Sequence, residues 1–454
     1  MKTDDAVSNS CTIAHYVAGT AARPLPPEVL EAARMCLADW IGVCIGAQAE
    51  PAAHAVRTVA NAWNLQGHAT LLLGGQSGAA LAALCNGTLA HCLDFDDTYV
   101  QANTHTSAPV WAATLALGEE TGASELEMLH AFVAGFEVSA RVGLGLGEAV
   151  TARGFHATGV FGRLGAAAAC AALLKLDADV AQHALGAAAT QAGGLTGSFG
   201  TMAKPFHAGK AAMDGVLSTQ LAAAGFQAAT QLLEPGGGLD SAIIQDHAHA
   251  IQPANFGSGW AILDNSFKPY AACHLTHPAI DAARGTGLTP RELDAIRHVQ
   301  ASVGALAHQV TGGRNGAPST GLEGKFDLRY CVALALHGRS LSAADFAQPL
   351  PPDAAVRATA AKVEVARDPE MGYASAAVRV ELEGGGTRLC QVPVAKGHPG
   401  NPMTWDDMRA KFEDLVDASA GSRTQDIFDA LRGFGRGGTR GLATIRMLSA
   451  ALQD

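Results

Sequence analysis

No stretch of this chain is apolar for long enough to cross a bilayer, so a transmembrane helix is not expected. Cysteine pairs are missing as well. The nine cysteines form an odd set without one CxxC, and most, such as Cys36, Cys44, Cys170 and Cys331, fall within apolar helical patterns. They read as reduced core thiols, which excludes a disulfide framework. Charge is sparse at 16% of residues and sums to −11 with no basic stripe, so a nucleic-acid surface is excluded and an anionic ligand must rely on local cations. The opening MKTDDAVSNSCTIAHY carries acids where an export signal needs a basic start, which makes the cytoplasm the expectation. Several motifs fail on context. GLGLG at Gly143 to Gly147 ends a helical pattern instead of following a strand, GSFG at Gly197 to Gly200 lacks the leading glycine of GxSxG, and no Walker loop occurs.

What is present is helical periodicity rich in alanine and glycine. Val29, Ala33, Cys36, Leu37, Trp40, Ile41 and Cys44 recur at three- and four-residue spacing behind Pro26 and Pro27, which makes one buried face. Ser124 and Glu127 form a capping-box signal, and Gly159 to Leu174 and His207 to Ala224 are small enough in side chain for close helix approach. After Lys268 the pattern changes. Residues 295–303 and 362–365 are short β-like runs, and Val378, Val380 and Leu382 alternate with charges before the Gly384 to Gly386 turn and a returning strand through Cys390, Val392 and Val394. Between them Glu323 to Gly338 reads as one helix. The expected fold is mainly α: a helical domain over 1–267, an inserted α+β domain over 268–394, and a helical return over 395–454.

Polar residues concentrate in four blocks: HCLDFDDTY with NTHTSAP (His91 to Pro109), RGFHATGVFGRLG, GTMAKPFHAGKAAMDG and KPYAACHLTHPAIDAAR. Two share a form, since Lys204-Pro205-Phe206 precedes His207 and Lys268-Pro269-Tyr270 precedes Cys273-His274. A cation beside an aromatic ring and an imidazole suits proton removal next to a carboxylate, where a base near neutral pKa and a positive charge on the developing enediolate are both needed. Crowding among Asp94, Asp96 and Asp97 favours a raised carboxyl pKa. The plainer readings are that His91 and His130 are structural, that Asp96 and Asp97 cap a helix, that Lys210 faces solvent, and that Cys273 and His277, one helical turn apart, lack a second ligand pair for zinc. Two rival functions also fit parts of the pattern: a magnesium site of the prenyl-transfer kind at DFDDTY, and a non-catalytic helical scaffold.

HCLDFDDTY, GFHATGVFGRLGAAAACAALLKLD, AGGLTGSFGTMAKPFHAGKAAMDG, LLEPGGG and KPYAACHLTHPAIDAA, in this order, resemble the MmgE/PrpD family, which includes 2-methylcitrate dehydratase, cis-aconitate decarboxylase and iminodisuccinate epimerase. The resemblance implies a large helical domain with a smaller α+β lid domain, a homodimer, a small polycarboxylate substrate held in the cleft between domains, and catalysis without metal or organic cofactor. By motif position it implies Asp94, His105, His156, Lys204, Lys268 and His274 as catalytic, with Thr98, Tyr270, Cys273, His277 and Arg314 at the substrate. Departures from the family pattern are His105-Thr106-Ser107 for His-Pro-Ser, Ala271-Ala272 for Pro-Cys and Lys325-Phe326-Asp327 for Lys-Phe-Ser. The segment Thr311 to Ser319 lacks the tyrosine of decarboxylating relatives. The expected activity is therefore a 2-methylcitrate dehydratase-like lyase, with epimerase and cis-aconitate decarboxylase as alternatives.

Overall fold

Alanine and glycine decide how closely the helices of this chain approach one another. The computed structural model describes residues 8–234, 237–245, 251, 255–312, 316–347, 349–437 and 440–452. It divides into two units, Met1–Ser266 with Met408–Asp454, and Phe267–Asp407. The fold is mainly α, and no helix among the described residues is long and apolar enough to cross a membrane.

In the first unit, α1 (Pro27–Gly46) opens on Pro27, whose fixed φ suits the first helical turn, and buries Val29, Ala33, Leu37 and Ile41 on one side. It is followed by α2 (Ala79–Cys92), α3 (Ser107–Thr121), α4 (Glu125–Gly143), α5 (Ala157–Leu173) and α6 (Ala203–Ala223). The Ser124/Glu127 capping box forms as the sequence indicates, with Ser124 Oγ accepting from the Glu127 amide at 3.2 Å and Glu127 Oε2 accepting from the Ser124 amide at 2.9 Å. α6 packs most extensively on α2 and α5. The contact with α2 is at backbone distance: a Cβ on Gly209 would meet Leu84 O and Thr88 Oγ1 at 2.2 Å. Only glycine fits there, and this fit sets the start of α6 against the end of α2.

In the second unit, α7 (His277–Gly285) carries Pro278 in its first turn, where a missing N–H costs nothing. The four strands are β1 (Ile296–Val303), β2 (Val363–Arg367), β3 (Ala376–Leu382) and β4 (Thr387–Val392), in sheet order β2-β1-β3-β4. β1 runs parallel to β2 and antiparallel to β3, with Ala301 opposite both Val365 and Val378; β3 and β4 are antiparallel, with Val378 opposite Cys390. Ala376, Val378, Val380 and Leu382 are buried along β3, so the two-residue alternation read from the sequence marks the covered face. α7 packs on β3 and β4 and on α8 (Leu328–Leu336).

Two local expectations are corrected here. The single helix expected over Glu323 to Gly338 is broken, because Asp327 leaves helical geometry and accepts from the Arg329 and Tyr330 amides, capping α8. Cys273 and His277 do not share a helix turn either, since Cys273 precedes a short 3₁₀ turn and His277 is the first residue of α7.

Candidate active site

The segment after α2 sends four successive residues to four separate sets of partners. Asp94 has φ 53°, in the left-handed region that aspartate tolerates better than most residues, and the turn ends α2 abruptly. Asp94 Oδ1 accepts from Lys204 Nζ at 2.8 Å. Phe95 offers its carbonyl to Lys411 Nζ at 2.7 Å, and the same ammonium pairs with buried Asp39 and lies 3.9 Å from the centre of the Phe95 ring. Asp96 Oδ2 accepts from His91 Nδ1 at 2.8 Å and lies 3.2 Å from His105 Nδ1. Asp97 Oδ2 accepts from Ser107 Oγ and from Asn265 Nδ2. Asp96 and Asp97 therefore do not cap a helix, and His91 is not a lone structural histidine.

Imidazoles surround these carboxylates. His105, whose amide donates to Thr158 Oγ1 at 3.0 Å, has its ring centre 4.5 Å from that of His91 and its Nε2 3.9 Å from Asp94 Oδ1. His156 stands at the N-cap of α5, its ring 5.5 Å from that of His91 and nearly parallel to it, with the edge of Phe199 at 5.0 Å. The Lys204 ammonium lies 5.5 Å from the Phe199 ring centre. Thus Asp94, His105, His156 and Lys204 come together with His91 and Asp96 in the first unit. Thr98 is held nearby by paired backbone hydrogen bonds with Ser266, and its buried Oγ1 has no hydrogen-bond partner among the described residues.

Burial and proximity set the protonation states. Burial, reinforced by Lys204 and His105, outweighs the pull of Asp96 and lowers His91 to about 4, so its ring is neutral. Burial also holds His156 well below its ordinary value, helped by the neighbouring His91 and Lys204. Asp96 is driven up by burial but drawn well below its ordinary value by His105 and His91. An ionised Asp96 fixes His91 as the Nδ1–H tautomer.

Asp97 goes the other way, pushed up to about 7 by burial and then by Asp39. Its folded pKa lies above its unfolded one, so the folded protein holds a proton that the unfolded chain gives up from about pH 4 upward, and stability falls as pH rises toward 7. Relative to the wild type, Asp97→Asn should gain thermal stability steadily from about pH 4 to about pH 7 and keep the gain near pH 8, about 4 kcal/mol in all for a shift of about 3 pH units. Melting curves across that range check this, and a difference independent of pH would contradict it.

In the second unit, Lys268 is 2% exposed, and Tyr270 and Cys273 are buried. Tyr270 donates its hydroxyl to Asp281 Oδ1 and has the Arg284 guanidinium 4.6 Å from its ring centre; burial and the Asp281 charge raise its pKa, so the phenol stays protonated. The His274 and His277 rings are 5.0 Å apart, and His277 Nε2 lies 3.2 Å from the Ala272 carbonyl. Arg314 lies outside the described residues.

The family model described as MmgE/PrpD N-terminal domain matches residues 11–252, and that described as MmgE/PrpD C-terminal domain matches residues 270–432. The chain belongs to the MmgE/PrpD family. Curated relatives include a cis-aconitate decarboxylase of Mus musculus, 30% identical over 73% of this chain and 70% of the relative. Another is from Aspergillus terreus, 26% identical over 93% and 92%, and a third from Homo sapiens, 28% identical over 73% and 71%. The MmgE/PrpD chain described here is accordingly an enzyme of the lyase type.

His91, Asp94, Asp96 and His105 present ligand atoms within 4.8 Å of one another, the set among the described residues that could hold a metal ion. They fit a cation poorly. Lys204 already places a positive charge on Asp94, and Asp96 Oδ2 is shared by two imidazoles. Sequence reasoning missed His91 and Lys411 as parts of this neighbourhood and left Asp96 open between a site role and a helix cap. Lys411 did carry a signal, being a lysine on the apolar stripe of Met408, Phe412 and Leu415 in the helix α9 (Trp405–Ala420). Lys210 keeps 40% of its side chain exposed, as the solvent-facing reading has it, and also pairs with Asp214.

Proposed function

We propose that this enzyme is a cofactor-independent lyase that builds and quenches negative charge beside a carboxylate of a small tricarboxylate, with cis-aconitate as the first candidate substrate. The observation that carries the proposal is the buried group of Asp94, Asp96, His91, His105 and His156 with the Lys204 ammonium at 2.8 Å from Asp94. Imidazoles beside a fixed cation are the equipment such chemistry needs. The names of the three relatives point to decarboxylation.

For cis-aconitate the electron count is simple. The bond from the methylene carbon to its carboxylate breaks, its pair forms the new C=C, and the old double-bond pair moves to the carbon next to a remaining carboxylate. Charge spreads onto that carboxylate, where Lys204 counters it, and His105 or His156 delivers a proton to the carbon. Carbon dioxide leaves, and one proton is consumed from solvent per turnover. A second reading, dehydration of a 2-methylcitrate-like acid, is favoured by the absence of tyrosine from Thr311 to Ser319. There the same groups remove a proton and a hydroxide departs.

The test is a product assay with EDTA present over cis-aconitate, 2-methylcitrate, citrate and iminodisuccinate. Carbon dioxide release from cis-aconitate with uptake of one solvent deuteron into the product is expected. Water loss from 2-methylcitrate alone would establish the second reading, and inertness toward all four acids would dismiss both.

A further inference from the structure

His156 and His207 face each other through like atoms: the two Nδ1 nitrogens are 3.2 Å apart. Two bare nitrogens repel at that distance and two N–H groups clash, so one ring donates and the other accepts. The pair is therefore locked into opposite tautomers. Whatever happens to the proton on His156 Nδ1 is registered at His207 Nδ1.

The surroundings fix the pair. The His156 amide donates to Gly194 O at 2.9 Å, and Phe155 and Leu195 form an isolated antiparallel bridge. Gly194 has φ +110°, and a Cβ there would come within 3.1 Å of the His207 ring, so this backbone packs flush on the imidazole only as glycine. His156 is buried, whereas His207 is half-buried and lines an open cavity of about 480 Å³ together with Arg163, Gln191, Ser198, Lys210 and Asp214. Arg163 and Lys210 both bind Asp214, so this side of the cavity offers charged groups that can hold water. Cations facing His207 are Arg163 from α5 and Lys204 from its own helix, and burial with these charges lowers the pKa of the ring.

We propose that His207 is a positioning residue that sets the tautomer of His156 and passes protons between it and water entering the open cavity beside Arg163, Lys210 and Asp214. The inward step balances at every atom. A proton from cavity water bonds to His207 Nε2, the Nδ1–H proton of His207 moves to His156 Nδ1, and the Nε2–H proton of His156 goes to the carbanion. Each ring makes one N–H bond and breaks one, and no charge remains on the pair. Run backward, the same path carries off a proton that His156 has removed. The need for an inward proton rests on the decarboxylation reading; the hydrogen bond and the exchange path do not.

The experiment uses the full-length protein with ¹⁵N-labelled histidine. In the wild type, one His156 or His207 Nδ1 should be protonated and the other bare, with a resolvable coupling between the two nitrogens. His207→Phe should abolish that coupling and slow exchange of the His156 ring proton with water at least tenfold. His207→Ala should lower kcat at least tenfold with KM little changed, and added imidazole should restore part of it. His207→Gln, with circular dichroism as a check on folding, supplies a second variant of similar polarity and should show the same exchange defect. Absence of the coupling together with wild-type exchange in the variants would overturn the proposal even if cis-aconitate is turned over. An intact coupling and exchange effect in an enzyme inert toward every acid tested would sustain the relay and reject the decarboxylase reading.

Discussion

Lys204→Met is expected to lower kcat on cis-aconitate by roughly 10²–10³, the loss that follows removal of one preorganised charge or donor aimed at a developing anion. Methionine keeps most of the length and apolar bulk of the lysine, so the change isolates the ammonium. In the wild type that ammonium lies 2.8 Å from Asp94 Oδ1 and near the Phe199 ring, with only 16% of its side chain exposed. A charge held this way does not have to shed water or search for its place when the substrate ionises. The division between kcat and KM tells which charge it serves. A fall in kcat alone means that Lys204 meets charge made in the transition state, while a rise in KM alone means that it grips a carboxylate present from the start. Near-normal kcat and KM would remove Lys204 from the chemistry.

Much of this molecule was legible in the sequence because the relevant signals are local. The α1 stripe, the Ser124 box and the alternation along β3 depend on residues three or four apart, or two apart in the strand. The polar blocks were legible for the same reason, since an aspartate trio and a Lys-Pro-aromatic-His run have no use on an apolar helix. What escaped depends on contacts between distant segments. Asp96 and Asp97 are neighbours in sequence with opposite shifts, because two imidazoles outweigh burial at Asp96, while at Asp97 burial and the charge of Asp39 outweigh the donors Ser107 and Asn265. Nothing within the segment DFDD distinguishes them. His91 was hidden by its place in a regular helix, although the turn that follows it, at Asp94, folds Asp96 back within 2.8 Å of its ring. The break at Asp327 was missed because Glu323 to Gly338 keeps helical composition throughout, and only the capping hydrogen bonds show where one helix stops.

Asp96→Asn should reduce kcat by on the order of 10³–10⁴, the size of effect seen where a buried carboxylate holds an imidazole in its working tautomer. Asp96 Oδ2 accepts the His91 Nδ1 proton at 2.8 Å and lies 3.2 Å from His105 Nδ1, so one carboxylate orients two rings. An amide has the same shape but offers two N–H donors on one side. If its nitrogen faces the histidines, each ring must turn its Nδ1 lone pair toward it, which moves the ring proton to Nε2 and removes the lone pair that acts as a base. If its oxygen faces them, the geometry survives but the negative charge beside both rings is gone. Both outcomes impair catalysis, and they differ in pH dependence. Stability tells the same story with its sign fixed. The folded pKa of Asp96 is depressed, so its contribution is present above the ordinary carboxyl pKa and is lost as pH falls through the lower folded value. The Asn variant should lack that acid-side loss, and its melting temperature relative to wild type should improve as the pH is lowered below about 4. Steady-state kinetics paired with melting curves separate the two roles: a variant that melts normally at pH 7 and keeps wild-type kcat would leave His105 and His91 oriented by packing alone, and the carboxylate between them would have no part in the reaction.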